Sequence, residues 1–159
     1  MKGVIYMKIL DERGLSGIVK RFLDLILLGG IAIVLALPVL LNWYMDFLQG
    51  YISEKYWFLL PFLYITGALA ILIVNELRRI FKTLNRRDPF RRDNVKSFER
   101  LSACCFAIAF FYCVKIFVFN SFLTIILFMV FIIGGFFLLI LAEIFRQAVA
   151  VKEENDLTI

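Results

Sequence analysis

The chain contains no histidine, and only three cysteines and three prolines among 159 residues. Each shortage excludes something. Without histidine, the commonest general base and the commonest metal ligand are both missing. Zinc sites, haem sites and Ser-His-Asp chemistry fall away with it, and nothing in the sequence calls for a cofactor or a metal. The cysteines are odd in number, and Cys104 and Cys105 are adjacent, where they are poorly placed to bridge each other. A disulfide framework is therefore not expected. Internal repeats and low-complexity segments are also missing, and no polar stretch is long enough to fold as a soluble domain.

What the chain has instead is apolar residue. Hydrophobic residues make up 62% of it, 18 of them phenylalanine, and the mean hydropathy is +0.88. A soluble domain is usually about 45–50% apolar. The excess is too large for one buried core and points to a bilayer.

A spanning helix needs about 20 mostly apolar residues. Four stretches qualify: Phe22 to Tyr44, Trp57 to Val74, Leu101 to Phe119 and Phe122 to Ala142. The bilayer core offers backbone groups no water, so each span is expected to be helical. The first run is longer than a secretory h-region and no A-x-A site follows it, so it reads as a span rather than a signal peptide. Pro61 falls in the first turns of the second span, where a missing N–H is tolerated. Pro38 is placed to kink the first span near its end.

Basic residues set the orientation. Five Lys or Arg precede the first span, nine lie between Arg78 and Arg100, and Arg146 and Lys152 follow the fourth. Only Lys55 lies in the first loop, and Lys115 lies within the third span. Sixteen of the eighteen therefore share one side, which the positive-inside rule makes cytoplasmic, with both termini inside. Trp43, Tyr44, Tyr56 and Trp57 flank the outer loop as an aromatic belt. Only Asn120 and Ser121 separate spans three and four, so these form a tight antiparallel hairpin.

The helices are expected to continue past the membrane. Leu77, Ile80, Phe81 and Leu84 share one helical face beyond span two. Asp88-Pro89 then breaks that helix, and Asp93 or Asn94 is the expected N-cap of the next. Val95, Phe98, Leu101 and Ser102 carry a stripe into span three. Beyond span four, Ile144, Phe145, Ala148 and Val151 form another, followed by Glu153, Glu154 and Asp156. The expected fold is all-α: an integral membrane four-helix bundle, N-in and C-in, with helices two, three and four extended into the cytoplasm. It is one membrane domain with a cytoplasmic hairpin at 75–100 and a tail at 143–159. The tail is expected to pack its apolar stripe on the hairpin, with its acidic end near the hairpin arginines.

The hairpin holds nine basic residues against four acidic ones, Glu76, Asp88, Asp93 and Glu99. Its plain use is orientation and attraction to anionic lipid headgroups, at about 1 kcal/mol per basic residue near the surface. A docking site for a protein or lipid is the sharper reading. No fold for reading bases is present, so direct nucleic-acid contact is not expected. Lys115 sits five residues before the outer turn, in reach of the interface by snorkelling; an ionisable residue in a span is otherwise a functional candidate. Asp24, Asn75, Glu76 and Glu143 sit at the inner boundary, as ordinary helix ends or as a polar ring with Arg78, Arg79 and Arg146. Cys104, Cys105 and Cys113 read as small hydrophobes. Gly29-Gly30 and Gly134-Gly135 are candidate points of close helix approach.

Two stretches, "DPFRRDNVKSFERLS" at 88–102 and "AEIFRQAVAVKEENDLTI" at 142–159, together resemble the DUF2975 family of small four-helix bacterial membrane proteins. The positions that carry the resemblance are Pro89, Phe90, Asn94 and Val95, then Phe145, Arg146, Glu153, Glu154, Asp156, Leu157, Thr158 and Ile159. Val151 departs from it, a larger leucine being common there. Met7 resembles the usual start, which makes residues 1–6 an extension. The resemblance implies no enzymatic activity. It implies a multi-pass protein of the bacterial cytoplasmic membrane that holds, or passes a signal to, a small helix-turn-helix regulator. The docking surface would draw on Pro89, Phe90, Arg91, Arg92, Asn94, Phe145, Arg146, Glu153, Glu154, Asp156, Leu157 and Ile159. The alternative is a small oligomeric transporter or channel subunit, for which Lys115 and the boundary carboxylates such as Asp24 are the only support.

Overall fold

The computed structural model describes residues 15–47, 53–85, 89–118 and 121–156. Four helices account for nearly all of them: α1 Leu15–Phe47, α2 Ser53–Asn85, α3 Arg92–Val118 and α4 Phe122–Asp156. Among the described residues there is no strand. Each helix packs on the next in sequence, and the α3–α4 pair is the most extensive.

Helix length explains the shape. A 33-residue α2 and a 35-residue α4 run about 50 Å at 1.5 Å per residue, while the hydrocarbon core is about 30 Å thick. All four helices are long and apolar enough to cross a membrane, and the surplus of α2, α3 and α4 is polar and gathers at one end. The protein is a multi-pass membrane protein built as a four-helix bundle.

Two local expectations need correction. Helix α2 begins at Ser53, so Pro61 lies two turns inside it, not at its start. Helix α3 begins at Arg92, so neither Asp93 nor Asn94 is its N-cap. The Arg91 carbonyl accepts the first helical bonds, from the amides of Asn94 (3.0 Å) and Val95 (3.5 Å). The expected break at Asp88, the loop lysine Lys55, Asn120 and residues 1–6 lie outside the described residues or side chains.

The core sits where α2, α3 and α4 meet. Ile80, Phe98, Leu101 and Ala142 are buried together, with Ile73, Leu77, Leu138, Leu141 and Phe145 packed around them. The stripe beyond span four is rotated from the expected one. Ile144 and Val151 are exposed, and the inward face is Leu138, Leu141, Ala142, Phe145 and Val149. The reason is that α4 keeps the face it uses inside the span, whereas the apolar Ile144 and Val151, taken by themselves, suggest a different one.

Close approach is confined to particular glycines. A Cβ at Gly135 would come within 2.9 Å of the Phe106 ring, and one at Gly67 within 2.9 Å of Val34. Gly30 faces Ile71 at ordinary contact distance, and nothing lies within 4 Å of a Cβ at Gly29 or Gly134. Only one residue of each expected glycine pair is thus at a helix contact. The buried Ser102 hydroxyl donates to the Gly135 carbonyl at 2.8 Å, which ties α3 to α4 at the same point.

Candidate functional site

The polar end of α2, α3 and α4 is assembled from the turn upward. Pro89 ends the preceding segment, and its carbonyl accepts from the Arg91 amide at 3.1 Å and from the Asn94 side-chain amide at 2.6 Å. Asn94 is 2% exposed. Its Oδ1 lies 2.8 Å from the Thr83 hydroxyl, which also lies 2.7 Å from the Ile80 carbonyl. One hydroxyl proton serves one of these acceptors at a time. Asn94 therefore locks the turn to the end of α2 instead of capping α3.

Glu76 is the hub between α2 and α3. It is buried, and its carboxylate accepts from Ser97 Oγ at 2.7 Å, Arg79 Nη1 at 3.1 Å and Arg100 Nη1 at 3.2 Å. A buried carboxylate is tolerated when paired and fully hydrogen-bonded. The neighbouring Asp24 of α1 makes an ion pair with Arg78 of α2, although its Oδ1 accepts no aligned hydrogen bond. The boundary carboxylates therefore do engage arginines.

The tail meets the hairpin. The Phe145 ring of α4 packs at a tilt against Phe98 at 4.8 Å and Phe90 at 5.8 Å between ring centroids. Arg146 joins Glu99 of α3 and Glu143 of its own helix. One turn and more beyond, Arg92 makes a bidentate bridge to Glu153, Nε to Oε1 at 2.9 Å and Nη2 to Oε2 at 2.7 Å. The hydrogen bonds and charge of Arg92 hold the Glu153 carboxyl below the usual carboxylate range, and Glu153 pushes Arg92 up in return. Between the two bridges lies a groove of about 370 Å³ floored by Val95, Val149 and Ala150.

Of the proposed docking residues, Pro89, Phe90, Arg92, Asn94, Phe145, Arg146 and Glu153 are thus brought together. Arg91 stands 3.9 Å from Asp93, and Glu154 is exposed on the last turn of α4. The Asp156 side chain, Leu157, Thr158 and Ile159 lie outside the described residues. Thr83, Ser97, Glu99, Arg100 and Val149 were missed. Glu76, Arg79 and Thr83 do share a helical face, as do Ser97 and Arg100, so spacing offered that signal.

Lys115 lies deeper. Its ammonium sits over the Phe62 ring at 5.2 Å and the Tyr112 ring at 5.8 Å, a cation–π pairing. Near it a cleft of about 260 Å³ is lined by all four helices, mainly with apolar side chains. The three cysteines are free. Among the described residues no group of three His, Cys, Asp or Glu side chains is placed to hold a metal ion.

A family described as "Protein of unknown function (DUF2975)" matches residues 40–159. The chain belongs to the DUF2975 family. The match runs from the end of α1 through the tail, so it includes both motif stretches and everything at the polar end. No curated protein and no solved structure matches the chain. The DUF2975 resemblance read from the sequence is therefore established, while the family itself carries no assigned activity.

Proposed function

We propose that this DUF2975 protein is a non-enzymatic protein of the bacterial cytoplasmic membrane that docks a small cytosolic helix-turn-helix regulator on its polar end. In this reading both termini and the polar end face the cytoplasm. The observation that carries it is the joining of two distant stretches. Phe90 and Arg92 meet Phe145 and Glu153 across α3 and α4, and the result is a preformed groove with an apolar floor and charged rims. Such a surface is suited to an amphipathic helix, whose apolar stripe would lie on Val95 and Val149 while its polar edges meet Arg92, Glu99, Arg146 and Glu153. Anionic headgroups would meet the remaining basic residues.

Co-expression with a helix-turn-helix regulator encoded in the adjacent gene tests it. Purification in mild detergent should recover a complex, and Ala150→Glu, at an exposed position in the groove, should abolish recovery while leaving the membrane protein folded. A regulator that stays soluble with the unaltered protein would defeat the proposal. A transport role rests on Lys115 and the four-helix cleft. Solute or ion flux in proteoliposomes that is lost in Lys115→Ala would replace the docking reading with that one.

A further inference from the structure

A second pocket, of about 320 Å³, opens between α2 and α3, and Lys96 stands between it and the docking groove, lining both. Arg79, Lys82, Lys96 and Arg100 line it, and among the described residues Asp93 is the only acidic one that does. Beneath it lies Glu76. That buried carboxylate holds one terminal nitrogen of each arginine, at 3.1 and 3.2 Å. It fixes the direction of both guanidinium groups, whose side chains remain 57% and 59% exposed. Their other N–H donors have no partner among the described residues. Lys82 and Lys96 make no ion pair among the described residues either. The polar floor is neutral and already satisfied, since Ser97 donates to Glu76 and Thr83 lies against Asn94.

Among the described residues the pocket's charge is therefore unbalanced: four cations face one carboxylate, with Glu76 below offsetting one more. Guanidinium groups present fork-shaped donors suited to phosphate oxygens, and lysines add mobile point charges. Arg100 immediately precedes the apolar run that begins at Leu101, and Arg79 follows the run that ends at Val74, so both stand at the polar ends of their helices.

We infer that this pocket binds a phosphate-bearing anion, with Arg79 and Arg100 as fixed donors and Lys82 and Lys96 as the closing charges. The inference does not depend on the docking of a regulator. The phosphate would come from an anionic lipid headgroup or from a soluble phosphorylated compound, and the experiment separates the two.

The full-length protein in a neutral detergent is titrated calorimetrically with short-chain phosphatidylglycerol, with short-chain phosphatidylcholine and with inorganic pyrophosphate. The double variant K82Q/K96Q is compared with K20Q/R21Q, which removes the same charge from the start of α1. Saturable binding of phosphatidylglycerol or pyrophosphate that weakens roughly tenfold or more in K82Q/K96Q, and not in K20Q/R21Q, supports the site. Phosphatidylglycerol alone assigns it to lipid; pyrophosphate binding assigns it to a soluble anion. If neither saturates, if phosphatidylcholine binds as well as phosphatidylglycerol, or if K20Q/R21Q loses as much, the inference is overturned. If the double variant does not fold, the single variants Lys82→Gln and Lys96→Gln read the loss separately.

Discussion

Helix α1 and helix α3 both cross the bilayer, yet they solve different problems. The apolar stretch of α1 has a mean hydropathy of 2.6 with 6% of it buried by protein, whereas that of α3 has 2.2 with 28% buried. The less hydropathic helix is the better packed one. In lipid, apolar surface gains little by leaving one apolar neighbour for another, so helix association depends on fit and on polar contacts. Helix α1 presents Leu25, Leu28, Leu35 and Val39 to its surroundings and packs on α2. Helix α3 buries Asn94, Ser97 and Ser102 beside Leu101, Ile108 and Ala109. Hydropathy marks what faces lipid; small polar side chains in one stripe mark what faces protein.

Core truncation sharpens the contrast most. Leu101 is 1% exposed at the junction of α2, α3 and α4, and Leu28 is 74% exposed on α1. Leu101→Ala should cost about 2–5 kcal/mol, because the cavity it leaves is enclosed by protein. Leu28→Ala should stay within about 0.5 kcal/mol, since lipid fills the space. Unfolding in mixed micelles measures both, and equal losses would erase the distinction between the two helices.

The ion pairs give the next largest effect. Glu76→Gln removes a buried charge acceptor from two arginines and a serine, which should cost about 1–3 kcal/mol. Asp24→Asn breaks a pair whose side chains are both about 40% exposed; such pairs are worth about 0–1 kcal/mol. A greater loss from Asp24→Asn would mean that α1 is held more tightly than its packing indicates.

Much of this was legible in the sequence for simple reasons. Four apolar runs impose four helices, because lipid satisfies no backbone group. Of the expected stripe on α2, Leu77 and Ile80 lie in the core, since one period persists from the span into its extension, and Phe81 and Leu84 are half-buried. The face of α4 was misread because Ile144 and Val151 look apolar in isolation, whereas the register is set inside the membrane by Leu138, Leu141 and Ala142. Asn94 is expected as a cap of α3, and it lies instead inside that helix's first turn. A side chain that bonds the Pro89 carbonyl and the Thr83 hydroxyl depends on the crossing of α2 and α3, which no local rule contains. The Arg92–Glu153 bridge spans 61 residues, and only the sense that opposite charges lie at one end was available beforehand.

That bridge is also where the smallest effect is expected, and where pH can isolate it. The Glu153 carboxyl is held below its ordinary range by Arg92. Its contribution to tail docking is therefore complete above the unfolded value of about 4.3 and is lost as pH falls through the lower folded value. Arg92 stays charged throughout. Phe145 on Phe98 and Phe90 does not titrate, so apolar contact should keep α4 seated while its last turns loosen. Amide exchange of residues 149–156, corrected for the intrinsic rate at each pH, separates these terms. At neutral pH the last turns should be better protected in the unaltered protein than in Arg92→Gln, and the difference should vanish well below pH 4. The pairs of Arg146 with Glu99 and Glu143 are present in both proteins and cancel in that comparison. Equal protection at neutral pH would show that aromatic packing alone holds the tail.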